Sequence, residues 1–139
     1  MNADPSMRYK IENTLNRYTL ALDRRDLEGV LQTFTADASF SIRIAGGDLI
    51  GPHVGHEGIG KLMTESFETQ LDQRRHICSN LVFHEVGNGR ARVEYYLTLM
   101  SIDEGAIRLV TTGIYKDELV EEAGVWRVSK RHLDLDLPF

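Results

Sequence analysis

RRHICSNLVFHEVGNGRARVEYYLTLMSI, residues 74–102, holds two runs in which polar and apolar side chains alternate, separated by Gly87-Asn88-Gly89. A period of two is the rhythm of a strand, and a short Gly/Asn break between two such runs marks a hairpin. The rhythm continues downstream. It predicts four strands, Arg74–Glu85, Arg90–Ile102, Ala106–Leu119 and Val125–Leu135, with further breaks at Asp103-Glu104-Gly105 and Glu121-Glu122-Ala123-Gly124. Short turns between consecutive strands imply an antiparallel meander. Strands this long exceed the usual five or six residues, so strong twist and curl are expected.

Upstream the period lengthens to that of helices. Asp4-Pro5 reads as an N-cap followed by proline at the first helical position. Ile11, Leu15, Tyr18 and Leu22 then form an amphipathic stripe. Asp26 reads as the cap of a short second helix with Leu27, Val30, Leu31 and Phe34 on its apolar side. Ala38–Ile44 alternates like a strand and turns at Gly46-Gly47-Asp48. Ile59, Leu62, Met63 and Phe67 predict a third helix over about 57–70. Helices first and a long curled sheet afterwards predict an α+β domain covering 1–139, a curved antiparallel sheet whose concave side three N-terminal helices close around one pocket.

An assumed register sorts the two faces of the sheet. With a three-residue turn at 87–89, Val86 faces Arg90, which puts His76 opposite Met100, Cys78 opposite Thr98 and Asn80 opposite Tyr96. Centring the next hairpin on Glu104 adds Arg108, Val110, Thr112 and Ile114 to that face. Val120 facing Val125 then sets Arg131 opposite Ile114. The other face collects Ile77, Leu81, Phe83, Val93, Tyr95, Leu97, Leu99, Ile107, Leu109, Trp126 and Val128, and needs either the helices or a partner subunit to cover it. A slip of one residue would exchange the faces.

Composition narrows the classes of function. The 139 residues carry a net charge of -5 with acidic and basic groups interspersed, which disfavours nucleic acid and anionic membrane as partners. No apolar run approaches the roughly 20 residues of a membrane span. MNADPSMRYK lacks the apolar core of a secretion signal, and a single cysteine, Cys78, is compatible with a reducing cytoplasm.

Three ionisable residues suggest chemistry. Asp23 ends the first apolar stripe, His76 opens a strand, and Arg131 lies in the last one. A neutral imidazole held by a carboxylate is a general base near neutral pH, and an arginine stabilises negative charge developing on oxygen. On spacing alone, Asp23 reads equally well as a surface or capping residue, His76 as a structurally bonded histidine and Arg131 as a salt-bridge partner. His53 and His56 in a Gly-rich loop invite a metal reading, but without cysteines a loop before the third helix explains them more simply, and no metal site is expected. Cys78 reads either as a nucleophile or as a small buried hydrophobe. There is no phosphate loop, GxSxG elbow or Rossmann fingerprint.

Several strings, taken in order, resemble a known family. They are Tyr18 to Asp26 with Gly29 and Phe34-Thr35-Ala36-Asp37-Ala38, then Gly55-His56-Glu57-Gly58-Ile59, then Arg75-His76-Ile77 with Asn80. Thr112-Gly113-Ile114-Tyr115-Lys116-Asp117 and Gly124-Val125-Trp126-Arg127-Val128 follow. Over nearly its full length the chain resembles the SnoaL-like branch of the nuclear-transport-factor-2-like superfamily, and within it scytalone dehydratase and hexachlorocyclohexane dehydrochlorinase. The resemblance implies a cone-shaped half-barrel with a deep pocket, commonly a homodimer or higher oligomer packed through the sheet. It also implies an Asp–His base that works without a cofactor, with Asp23 and His76 at the dyad positions and Arg131 at the pocket arginine. The candidate ligand-binding set is Tyr18, Phe40, Cys78, Asn80, Tyr96, Thr98, Thr112 and Ile114. The two water-orienting tyrosines of scytalone dehydratase have no clear counterparts here, Tyr96 or Tyr115 being the candidates, which argues against scytalone itself as substrate. The expected activity is elimination of the dehydratase type, or isomerisation or cyclisation, on a hydrophobic cyclic or polyketide-like small molecule. The superfamily also holds non-catalytic binding proteins and small subunits of ring-hydroxylating dioxygenases, which gives the alternative reading.

Overall fold

The computed structural model describes residues 5–139, so the Asp4 cap lies outside the described residues. Helix α1 spans Pro5–Asp23 and α2 Leu27–Gln32, followed by strands β1, Phe34–Ile44, and β2, Ile50–Val54. Helix α3, Gly55–Thr69, leads into the long strands β3, Gln73–Gly87, β4, Arg90–Asp103, β5, Ala106–Glu122, and β6, Val125–Leu135. Asp26 caps α2 as expected, accepting from the Gly29 amide at 3.0 Å. The segment read as a turn and loop after Ile44 contains β2, too short and exposed to show an alternating pattern.

The six strands form one curved sheet in the order β2-β1-β6-β5-β4-β3. The meander is antiparallel, but β1 runs parallel to β6, with Phe40 beside Arg131 and Ile42 beside Leu133, so the sheet is mixed. That pairing joins segments far apart in sequence, and local periodicity carries no trace of it.

The three hairpins decide which side chains face inward. Each closes on two residues with positive φ: Asn88 and Gly89 (54° and 71°), Glu104 and Gly105 (49° and 76°), Ala123 and Gly124 (50° and 81°). These are type I′ turns, whose twist matches that of the strands. The first two assumed turns are one residue longer than these and the third two residues longer, so the observed pairing is displaced: His76 faces Leu99 and Cys78 faces Leu97. Further on, Tyr115 lies between Tyr95 and Leu133, and Asp117 between Val93 and Arg131.

As a result the apolar set Val93, Tyr95, Leu97, Leu99, Trp126 and Val128 points inward with His76, and the chain's own helices cover it. α1 and α3 lie across that concave side, and Thr14 of α1 bonds the Trp126 carbonyl at 2.8 Å. A second subunit is therefore not needed to bury this face. No helix among the described residues is long and apolar enough to cross a membrane.

Gly113 fixes how closely β5 and β6 approach beneath the helices. A Cβ there would sit 2.6 Å from the Asp134 carbonyl oxygen and 3.2 Å from Leu135. The obstacle is backbone in the middle of a sheet and cannot swing aside. Gly113→Ala is expected to destabilise the fold by about 2 kcal/mol, in the usual range for overpacking, measured by urea unfolding. An unchanged midpoint would show that the strands have room to part.

Candidate functional site

The concave face and α3 enclose a cavity of about 70 Å³. Its wall is mostly apolar: Leu22 of α1, Phe40 and Ile42 of β1, Leu62, Met63 and Phe67 of α3, Leu97 and Leu99 of β4, Leu133 and Leu135 of β6. The polar residues in that wall are Tyr18, Asp23, Arg25, Ser66, Gln70, Arg74, His76 and Tyr115. A largely apolar cavity with a few convergent polar groups is the usual form of a small-molecule site.

Asp23 reaches the cavity as the last residue of α1, where the chain turns through Arg24-Arg25 with Arg25 at φ 57°. The side chain of Gln73 bonds the Asp23 carbonyl at 2.8 Å. Arg25 donates to the carbonyls of Phe67, at 2.7 Å, and of Gln70 and Asp72, holding the end of α3 against the start of β3. Both neighbours of the Asp23 carboxylate are thereby fixed.

That carboxylate receives two groups from one residue. Its Oδ1 lies 2.6 Å from His76 Nδ1, and the His76 amide donates to Oδ1 and Oδ2 at 3.2 and 3.1 Å. The side chains are only 12% and 10% exposed, so water competes little for the pair. An ionised carboxylate only accepts, so this contact favours the proton on Nδ1 and leaves Nε2 with its lone pair. Nε2 makes no hydrogen bond among the described residues, and His76 lines the cavity.

Arg131 stands elsewhere. The displaced register puts it opposite Asp117 rather than Ile114, and it lies beneath the cavity rather than in its wall. Its Nε and Nη2 donate to the two Asp117 oxygens at 2.9 and 2.8 Å, and both side chains are 0% exposed. Nη2 also reaches the Tyr95 hydroxyl at 3.0 Å, and that hydroxyl donates to Asp117. The guanidinium carbon sits 4.2 Å from the Tyr18 ring centroid and 4.8 Å from that of Tyr115, with Phe34 and Phe40 also around it. Burial alone would make the cation easier to discharge, but Asp117 outweighs it and the pKa is raised. Arg131 is a buried cation under an aromatic floor.

The floor stays neutral. Burial pushes the Tyr18 phenol up to about 12, with Arg131 pulling the other way, and burial raises Tyr95 and Tyr115 as well. Tyr18 and Tyr115 therefore line the cavity as phenols, able to donate a hydrogen bond. Cys78 shares the inward face without lining the cavity, and burial raises its thiol to about 12, so it is no thiolate nucleophile.

Of the other expected ligand contacts, Tyr18 and Phe40 line the cavity. Tyr96, Thr98, Thr112 and Ile114 do not, because the two-residue hairpins turn them to the convex face, where Tyr96 is 52% exposed. Asn80 takes φ 59° at the irregularity between Ser79 and Val82, and its exposed side chain is also absent from the cavity wall. Tyr115, not Tyr96, is the strand tyrosine at the cavity. His56 bonds the Phe34 carbonyl at 3.1 Å, and His53 lies beside Phe40 in the β1–β2 pairing. Among the described residues no three metal-ligating side chains converge.

Sequence reading missed Arg74. Its Nε donates to Asp72 at 2.7 Å, and Ser101 donates to the same carboxylate. Burial pushes the Asp72 carboxyl up, but the hydrogen bonds from Ser101 and Arg74 outweigh it and hold it below its ordinary value. The signal was there: residue 74 is two before His76, hence on its face.

Comparison with known proteins gives the same architecture. A cystatin-like-fold protein of unknown function from Nostoc punctiforme superposes with a TM-score of 0.84 at 22% identity, over 99% of this chain and 98% of that one. Aln2 from a Streptomyces species gives 0.83 at 26% identity, covering 98% and 95%. ActVI-ORFA from Streptomyces coelicolor gives 0.79 at 21%, covering 94% and 98%. No curated protein matches the sequence significantly. The family model described as the SnoaL-like domain matches residues 6–132, nearly the whole chain, and the protein accordingly belongs to the SnoaL-like domain family.

Proposed function

We propose that the protein is a cofactor-free lyase or isomerase that removes a proton from carbon in a small cyclic, largely apolar substrate. The observation that carries this reading is the 2.6 Å contact between Asp23 and His76 Nδ1 at the wall of an apolar cavity. His76 Nε2 accepts the proton, and Asp23 holds the ring and stabilises the imidazolium that forms. In an elimination, the electron pair of the broken C–H bond becomes the new C=C bond as the C–O bond to the neighbouring carbon breaks. The departing hydroxide takes the proton back from the imidazolium as water. In an isomerisation the same proton returns to a different carbon. Tyr18 and Tyr115 are the neutral donors for the developing oxyanion. Arg131 is a positioning residue: it sets the aromatic floor and touches no substrate.

The wider reading follows from the same features. The lone cysteine fits a cytoplasmic enzyme. The convex face, where Tyr96 and Ile77 are about half exposed, is the surface for a second copy in a homo-oligomer.

The test is deuterium exchange in D₂O at the α-carbon of small cyclic ketones, followed by proton NMR, together with loss of water from the corresponding β-hydroxyketones. Exchange above the buffer rate that depends on His76 is the expected result. Equal rates with and without protein across the panel would leave a pocket that only binds.

A further inference from the structure

The cavity wall holds two arginines, and only one is already fully occupied. Arg25 spends both terminal nitrogens on the carbonyls of Phe67, Gln70 and Asp72. Arg74 is tied through Nε alone, and the side chain is 12% exposed. Its Nη1 is buried with no hydrogen-bond partner among the described residues. Leaving a guanidinium N–H buried and unpaired is costly; Arg131 Nη1 is unpaired as well, but that side chain is wholly buried and outside the cavity wall, whereas Arg74 lines the cavity.

The guanidinium is also held in place beforehand. Asp72 grips Nε, Ser101 of β4 grips Asp72, and Arg25 grips the Asp72 carbonyl, so the plane of the fork is set before anything binds. Arg74 and His76 lie on the same face of β3, one residue between them, which separates their Cα atoms by about 7 Å along the strand. A planar fork of donors suits a planar pair of oxygens.

We propose that Arg74 is the anion-recognition residue of the cavity, and that the ligand is a cyclic compound bearing a carboxylate or phenolate oxygen on the side away from the carbon facing His76. This deepens the reading of the pocket as a proton-transfer site and rests on it for the orientation of the ligand. The anionic oxygen is taken by the Arg74 guanidinium, whose Nη2 makes no hydrogen bond among the described residues, the apolar wall takes the ring, and the opposite edge of the ring is presented to Nε2.

The probes are 2-naphthoate and 2-naphthamide, alike in shape and different in charge, with affinities measured by isothermal titration calorimetry. The wild-type protein is expected to bind the carboxylate at least tenfold more tightly than the amide. Arg74→Met is expected to lose that factor for the carboxylate while leaving the amide within about twofold. Arg74→Lys keeps the charge but not the fork and falls between them. Equal affinity for both probes in the wild type, binding of neither, or a parallel loss of both in Arg74→Met overturns the assignment. If Arg74→Met does not fold, the wild-type preference and Arg74→Lys decide. Binding is read without turnover, so the two claims fail separately. A protein that prefers the carboxylate yet exchanges no proton defeats the Asp23–His76 chemistry alone, and one that exchanges protons without that preference defeats the role of Arg74 alone.

Discussion

His76→Ala is expected to lower exchange or elimination by about 10³-fold, within the range that a positioned general base contributes. The loss is large because nothing else at the cavity replaces Nε2. Cys78 is held as a thiol, the two tyrosines are held as phenols, and Asp23 is engaged by the His76 ring and amide. The fold is expected to survive, since the His76 backbone amide still donates to Asp23 and β3 keeps its pairing with β4. Thermal unfolding and ligand affinity should therefore stay close to those of the wild type while the rate collapses. Asp23→Asn preserves the shape, but its amide can present a donor to Nδ1 and force the proton onto Nε2. It should lose most of the same rate, as expected when a carboxylate fixes the tautomer of a base. A variant without His76 that retained the wild-type rate would remove the imidazole from the mechanism.

Asp117→Ala is expected to have the largest effect on stability. It leaves the Arg131 cation, fully enclosed and ringed by Tyr18, Phe34, Phe40 and Tyr115, without its counter-charge. Removing one partner of such a pair costs about 3–5 kcal/mol, a fall in Tm of about 10 °C or more for a domain of this size. The Tyr95 hydroxyl loses its acceptor in the same step. The double variant Asp117→Leu/Arg131→Met removes both charges and is expected to be markedly more stable than the single one, because the single change mainly leaves a charge unpaired. Scanning calorimetry on the set checks this. A single variant no less stable than the double one would mean that water or a shifted side chain compensates Arg131.

How much of this was legible in the sequence depended on how local each feature is. The α2 cap at Asp26, the amphipathic faces of α1 and α3 and the four long strands rest on spacings within a dozen residues, and all are present. The glycine-containing turns were visible too, but a turn of two residues and one of three look alike in sequence. That single-residue difference sent Tyr96, Thr98, Thr112 and Ile114 to the wrong face, while a last turn two residues shorter than assumed and an irregularity at Glu118/Leu119 gave Arg131 the wrong neighbour. Asp117 was not singled out, although Gly113, Tyr115, Asp117 and Leu119 share the parity of the buried positions in β5. A carboxylate at such a position calls for a buried cation, and Arg131 is that cation. The pairing of β1 with β6 joins distant segments and could not be read at all. The contact of Asp23 with His76 spans 53 residues; residue type made it one reading among several, and the family resemblance favoured it.

The central claim is that Asp23 accepts the hydrogen bond from His76 Nδ1–H and leaves Nε2 as the base at the cavity. Long-range nitrogen–proton correlation NMR on the ¹⁵N-labelled protein, at a pH where the ring is neutral, reads that tautomer directly and needs no substrate. The expected result is a His76 ring protonated at Nδ1 with Nε2 bare, and a shift of the proton to Nε2 in Asp23→Asn. A wild-type ring protonated at Nε2, or averaging between tautomers as a solvated histidine does, would contradict it.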